Sequence, residues 1–155
     1  KVIETALKQI PADSKYAETV RWVLEMHDDG KDWREVRNAV VKKYPNACNP
    51  VYADTGIVTL ALLYGGGDFE KTITTAAYCG SDTDCDTASV GALIGCIIGA
   101  DAIPAKWAGP VGDEFRCFVQ GSEQWSVADL TKRICRLGRK VAEHHGDGMK
   151  FSAPI

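Results

Sequence analysis

Three aspartates alternate along a short stretch of the chain that reads SDTDCDT from Ser81 to Thr87. Asp82, Asp84 and Asp86 are close enough to repel one another, and burying part of that charge is costly unless something compensates for it. A hard divalent cation would do so, because carboxylate oxygens are its preferred ligands. The spacing therefore indicates a metal-binding loop, although a solvated acidic loop with one capping aspartate explains the same stretch when it is taken alone.

Helix capping is the second use that the sequence offers for an aspartate here. The loop precedes an apolar segment that is predicted to be a helix from Thr87 to Ala100. Its N-terminus would present unpaired N–H groups and the positive end of the helix dipole. Asp84 or Asp86 could therefore cap this helix, and a cation would be held by the other carboxylates, with Thr83 or a backbone carbonyl as a further oxygen ligand.

Two other kinds of loop with alternating aspartates fit the chain less well. An EF-hand has Gly at the sixth position and Glu at the twelfth, where this chain has Thr87 and Leu93. A phosphatase loop with alternating aspartates follows a buried strand, whereas the preceding segment FEKTITTAAYCG has the pattern of a helix. A calcium-binding regulatory module and a phosphatase are therefore both disfavoured.

The helix predicted behind the loop carries a stripe of small residues. Glycine within a helix costs about 1 kcal/mol relative to alanine, so several of them suggest that a neighbour approaches the backbone closely. We expect another helix to pack tightly against this stripe, whose members recur at steps of three and four: Ala88, Gly91, Ala92, Gly95, Cys96 and Gly99.

Helical periodicity dominates the rest of the chain, and strand-like alternation is nearly absent. We therefore predict an all-α fold, a compact bundle of short helices that forms one domain or fragment over residues 1–155. Pro45–Asp54 is predicted to be a loop, Thr55–Gly65 a central apolar helix, residues 106–125 irregular, and residues 146–155 a loose tail. Four polar residues are expected to cap helices: Ser14, Asp32, Asp68 and Ser126.

Composition limits the possible functions. The chain has 155 residues, 45% of them hydrophobic and 25% charged, which is ordinary for a globular domain. Its net charge of -3 argues against nucleic acid as a partner. Six cysteines without a C-x-x-C pair indicate free thiols and a cytoplasmic protein. The apolar runs are shorter than the roughly 20 residues of a membrane-spanning helix, so we expect no membrane association.

The stretch from Leu60 to Trp107 resembles the C-terminal core of the ADP-ribosylglycohydrolase family. The shared pattern consists of an apolar helix, a G-DFE cap, a C-G-x-D-T-D-x loop, a small-residue helix and an I-P-x-x-W exit. The similarity is close over Thr55–Trp107 and looser over the flanking helices Pro11–Tyr44 and Ser126–Glu143. It implies an all-α fold, of which this chain would be the C-terminal half.

The resemblance also implies a function. Members of the family use two metal ions, usually Mg²⁺ or Mn²⁺, to hydrolyse the bond between ADP-ribose and a protein side chain, or related linkages. Carried over to matching positions, Asp82 and Asp84 would ligate metal. Cys85 stands where many members have a metal-contacting threonine, and a thiol is a poor ligand for Mg²⁺.

The residues around these ligands would contact the substrate, which is expected to be an ADP-ribosylated protein or a small molecule that contains ADP-ribose. Gly80 and Ser81 match positions near the ribose, and Thr83 lies between the two ligands. Asp86 occupies a position that is often Asn in the family, and with Asp82 and Asp84 as the metal ligands we expect Asp86 to cap the following helix.

The family's other metal ligands and its general base lie in G-D-x-x-G and Asp-Asp segments, which Lys1–Asp54 does not match. The catalytic residue is therefore unassigned, and we expect an upstream segment or another chain to complete the site. Without it, the apolar faces of Ile57–Leu63 and Val90–Ile98 should be exposed. The alternative is a non-catalytic ADP-ribose-binding or structural relative, comparable to the crystallin-type proteins of this family.

Overall fold

The computed structural model describes residues 2–45 and 50–145. These residues are mostly helical, and the predicted all-α fold class is confirmed. Contacts between Cα atoms divide the chain into two compact units, Lys1–Pro104 and Ala105–Ile155, which we describe separately. The predicted loose tail at residues 146–155 lies outside the described residues.

The first unit contains the helices that surround the acidic loop. Three of them begin at the predicted caps, because the side chains of Ser14, Asp32 and Asp68 each accept a hydrogen bond from a backbone N–H group of the first turn. The helices are α1 (Val2–Leu7), α2 (Lys15–Asp28), α3 (Trp33–Lys43), α4 (Pro50–Gly65), α5 (Phe69–Cys79) and α6 (Thr83–Ile98), and a 3-10 turn follows at Ala100–Ala102.

Helix α4 lies at the centre of this unit and packs against α2, α3, α5 and α6. Ile57 and Leu60 are fully buried, which confirms the central position predicted for this segment. We expected the apolar face of this segment to be exposed, and that expectation is wrong for these two residues. The expectation holds in part for α6, where Leu93 and Ile97 are 43% and 49% exposed.

Two helices begin earlier than predicted. Helix α4 begins at Pro50, inside the predicted loop Pro45–Asp54, because proline fits the first helical position, where its missing N–H is not needed. Helix α6 begins at Thr83 instead of Thr87, and its first turn closes with a hydrogen bond from Asp86 N to Asp82 O at 2.8 Å. Asp86 is therefore a helical residue and not part of the loop.

The tight packing predicted along α6 is not found. A Cβ atom added to Gly91 would meet Ile73 Cδ1 at 3.9 Å, and one added to Gly95 would meet Ile103 Cδ1 at 3.8 Å. Both distances are ordinary van der Waals contacts. The prediction failed because small residues permit a close approach without requiring one.

The close approaches occur at α4 instead. A Cβ atom on Gly56 would lie 2.8 Å from Val40 Cγ1 of α3, and one on Gly65 would lie 2.8 Å from the Cα atom of Thr72 of α5. Glycine is thus required at these two positions, where α3 and α5 contact the central helix.

The second unit consists of short elements followed by one long helix. Ser126 Oγ accepts a hydrogen bond from Asp129 N at 3.2 Å, which confirms the predicted cap. The region predicted to be irregular contains a small antiparallel hairpin, in which Phe115 pairs with Trp125. The elements are α7 (Ala105–Ala108), a 3-10 turn (Gly109–Val111), β1 (Glu114–Arg116), β2 (Gln124–Ser126) and α8 (Val127–His145). Among the described residues of the whole chain, none of the helices could span a membrane.

Candidate metal centre

The acidic loop is a tight turn between α5 and α6. Helix α5 ends at Cys79, and Gly80 follows with φ of 63°, a left-handed conformation that glycine adopts without strain. From α3, Arg37 Nε donates a hydrogen bond to Cys79 O at 2.7 Å. The start of the loop is therefore fixed by both neighbouring helices and by a long-range hydrogen bond.

The turn brings the three predicted metal ligands together. One ligand atom each of Asp82, Asp84 and Cys85 lies within 4.8 Å of the others, and no other group of three His, Cys, Asp or Glu side chains meets this condition in residues 2–45 and 50–145. Asp82 is half-buried, whereas Asp84 and Cys85 are exposed. A cation arriving from solvent would thus find converging donors at the N-terminus of α6.

The carboxylate and thiol donors of this group differ in their protonation. A hydrogen bond with the Asp82 carboxyl group, helped by the backbone N–H groups of Asp84 and Cys85, lowers the pKa of Asp84. Hydrogen bonding to the Asp82 carboxylate and repulsion by its charge raise the pKa of the Cys85 thiol. Asp84 therefore stays ionised at neutral pH, and Cys85 stays protonated. The group thus offers carboxylate oxygens as ligands, which suit a hard divalent cation.

The predicted substrate-binding residues border the same turn. Gly80 is exposed, Ser81 is half-buried, and Thr83 is the exposed first residue of α6. Their contact with a ribose remains a prediction.

Asp86 does not cap α6, and this prediction is wrong. The residue at the capping position is Asp82, whose side chain makes no capping hydrogen bond. Asp86 is only 1% exposed, and neither of its carboxylate oxygens has a hydrogen-bond partner. It occupies the buried face of α6 together with Val90 and Ile94, at steps of four residues. That spacing is the sequence signal that could have revealed its position.

Asp54 is a residue of this centre that the sequence analysis missed. It lies on α4, is half-buried, and has a buried Oδ1 atom without a hydrogen-bond partner. Burial, followed by the charge of Asp82, raises its pKa. Its position three residues before the buried Ile57 places it on the inward face of α4, which could have been recognised once the helix was extended back to Pro50.

The carboxyl group of Asp86 is affected by the charge of Asp54. Burial, followed by the charges of Asp54, Asp82 and Asp84, raises the pKa of Asp86 to about 7. Among the described residues, no positive side chain contributes to the shifts of Asp54 or Asp86. The centre therefore contains four aspartates, and in the described part of the chain no cationic side chain offsets the raised pKa of Asp54 or Asp86.

Comparison with known proteins identifies the family. No protein of curated function and no solved structure matches the chain. The profile of the ADP-ribosylglycohydrolase family matches residues 1–143, which is nearly the whole sequence. The C-G-x-D-T-D-x loop with its converging carboxylates lies within this range. The chain belongs to the ADP-ribosylglycohydrolase family.

Proposed function

We propose that the protein is a metal-dependent hydrolase that cleaves the glycosidic bond between ADP-ribose and a protein side chain, or a related ADP-ribose linkage. The observation that carries this proposal is the convergence of Asp82 and Asp84 at the start of α6 in a chain of this family.

The donor set fits Mg²⁺ in two respects. Mg²⁺ usually binds through one or two carboxylates and retains several waters, which matches one half-buried and one exposed aspartate. Their ligand atoms also lie within 4.8 Å of one another, so the two like charges repel, and a cation between them would relieve that repulsion. Cys85 does not fit, since its protonated thiol is a poor ligand for this ion. Asp82 and Asp84 would hold the metal, and Mn²⁺ would be accepted by the same oxygens.

A divalent cation at such a site lowers the pKa of bound water and fixes the position of the substrate's oxygen atoms. The chain's own contribution is to hold the ribose near this site. Gly80 leaves its backbone uncovered by a side chain, and Ser81 and Thr83 flank Asp82 in the chain, where their hydroxyl groups would form hydrogen bonds to sugar hydroxyls. Such contacts would orient the anomeric carbon, where the bond breaks through an oxocarbenium-like transition state.

The test is release of ADP-ribose from a mono-ADP-ribosylated protein, measured by chromatography with Mg²⁺ and with EDTA. We expect release that requires Mg²⁺ and that the double substitution Asp82→Asn, Asp84→Asn abolishes. Binding of free ADP-ribose without any release, equal in Mg²⁺ and EDTA, would instead establish the non-catalytic alternative.

A further inference from the structure

Helix α8 carries an apolar seam that is largely exposed. We define this seam by five residues that recur at alternating steps of three and four: Val127, Leu130, Ile134, Leu137 and Val141. Ile134, Leu137 and Val141 are 60%, 62% and 50% exposed. A strict alternation of these steps gives the narrow stripe by which one helix packs against another. Exposed apolar residues that lie side by side in this way are typical of an interaction site.

The apolar surface continues from the seam onto the hairpin of the same unit. Residues of α8 and of the hairpin together line a groove of about 330 Å³. Its apolar lining consists of Phe115, Val119, Trp125, Leu130, Ile134 and Leu137. Such a groove accepts side chains that project from a partner, as happens when an amphipathic helix lays its apolar face into a groove. The shape therefore favours a helical partner over a flat one.

Basic side chains border the seam on one flank. Arg133 and Lys140 each stand immediately before a seam residue, in successive heptads. With Arg136 and Leu137 they line a second depression of about 320 Å³. The guanidinium carbon of Arg133 lies 5.0 Å from the centre of the Trp125 ring, which holds this charge beside the groove. Since residues at these flanking positions select a partner helix through their charge, the flank predicts an acidic partner.

A second copy of α8 would not complement this flank. In a parallel pair, Arg133 would face Gly138 of the other copy, and Lys140 would face His145. In an antiparallel pair, Arg133 would face Lys140, and the two like charges would repel. A membrane surface also fits less well, because a helix that lies in it buries a whole apolar face, whereas this seam is narrow and adjoins a groove.

We propose that the seam of α8 and the adjoining groove bind an amphipathic helix of another protein, one whose own apolar seam is flanked by acidic residues. The inference goes beyond the proposed function, because it involves neither the metal nor the substrate. The apolar contacts would supply most of the affinity. Acidic side chains of the partner, placed beside Arg133, Arg136 and Lys140, would select it and fix its orientation.

Fluorescence anisotropy with two labelled synthetic peptides tests the proposal on the full chain. Both peptides are helices of about three heptads with leucine at the seam positions, and they differ in carrying glutamate or lysine at the flanking positions. We expect the wild-type chain to bind the glutamate peptide about fivefold or more tighter than the lysine peptide. The double substitution Ile134→Gln, Leu137→Gln should weaken binding of the glutamate peptide by about tenfold or more.

The charge of the flank is tested by a reversal. The double substitution Arg133→Glu, Lys140→Glu should make the chain prefer the lysine peptide. Lys132→Gln is the matched control, because Lys132 lies on the face of α8 opposite the seam and should keep the wild-type preference. Circular dichroism of each variant checks that α8 remains helical, and the exposure of the substituted seam residues keeps them outside the folded core.

Three results would overturn the proposal. The first is equal affinity of the wild-type chain for the two peptides, or binding of neither. The second is a dimer of the wild-type chain in sedimentation equilibrium that the Ile134→Gln, Leu137→Gln variant does not form, because a second copy would then cover the seam. The third is cosedimentation with phosphatidylserine-containing vesicles that the same variant loses, which would assign the seam to a membrane surface.

Discussion

At the scale of single residues, Asp86 is a buried carboxyl group whose ionisation would cost the protein stability. It lies on the buried face of α6 with the apolar Val90 and Ile94, and its ionised form is opposed first by burial and then by three other aspartates. Without a cation, the folded protein should therefore hold a proton at this position that the unfolded chain has released. Its stability must then depend on pH.

The sign of this dependence follows from the pKa of Asp86, which rises from 3.8 to about 7 on folding. Between these values the folded state binds more protons than the unfolded state, so stability falls as the pH rises. In EDTA, we expect Asp86→Asn to be more stable than wild type at pH 8 by about 1–3 kcal/mol. At pH 3, below both pKa values, the two proteins should differ little. Urea unfolding across this range measures the effect.

The exposed control Asp101→Asn should follow the wild-type profile at every pH. Parallel profiles for wild type and Asp86→Asn would show that the buried carboxyl group does not titrate in this window.

The sequence predicts part of the site at this scale. Asp82 and Asp84 were predicted to act together because their proximity is fixed by chain spacing, and the structure brings their ligand atoms together. Asp54 reaches the centre only through the packing of α4 against α6, a tertiary contact that no local pattern encodes. The burial of Asp86 was missed because it depends on where α6 begins.

At the scale of elements, the hydrogen bond from Arg37 fixes the end of α5 immediately before the turn that we propose binds metal. Replacing Arg37 with methionine keeps much of the side-chain length but leaves Cys79 O without its donor. We expect a loss of about 1–3 kcal/mol of stability and weaker Mg²⁺ binding. Arg34→Met is the matched control, because Arg34 is exposed on the same helix. This substitution should change the free energy of unfolding by no more than about 0.5 kcal/mol.

These two effects are measured by urea unfolding and by calorimetry with Mg²⁺. Equal stability and equal Mg²⁺ affinity of the Arg37→Met variant and wild type would contradict a positioning role for Arg37.

The glycines of α4 and α6 provide a second test of the packing. Gly65→Ala places a Cβ atom 2.8 Å from the Thr72 backbone, so we expect a loss of about 1–3 kcal/mol. Gly91→Ala places a Cβ atom 3.9 Å from the nearest side-chain atom. We expect this variant to be more stable than wild type by about 0.5–1 kcal/mol, because alanine has the higher helix propensity. Thermal unfolding of the two variants measures the difference, and a Gly91→Ala variant less stable than Gly65→Ala would contradict the packing described.

Helix starts show which features of the fold could be predicted. Ser14, Asp32 and Asp68 were recognised because capping is a local interaction between a side chain and its own first turn. The start of α6 was misplaced because a run of aspartates looks like a solvated loop. The burial of Asp86, which shows that the run is partly helical, comes from packing against other helices.

At the scale of the whole molecule, the buried apolar core is confined to the first unit. Among the described residues, every buried apolar side chain lies between Ala17 and Ile94. We expect residues 1–104 produced alone to unfold cooperatively in urea and to bind Mg²⁺ with the affinity of the full chain. A gradual transition without a baseline, monitored by circular dichroism, would show that the second unit is required for folding.

Isothermal calorimetry with Mg²⁺ tests most directly whether Asp82 and Asp84 bind the metal of an ADP-ribosyl hydrolase. We predict measurable binding to the wild-type chain and its loss at the loop position in the double variant Asp82→Ala, Asp84→Ala. The double variant Asp28→Ala, Asp29→Ala removes the same charge from an exposed pair and should bind like wild type. Unchanged Mg²⁺ binding after the loss of Asp82 and Asp84 would contradict the metal assignment.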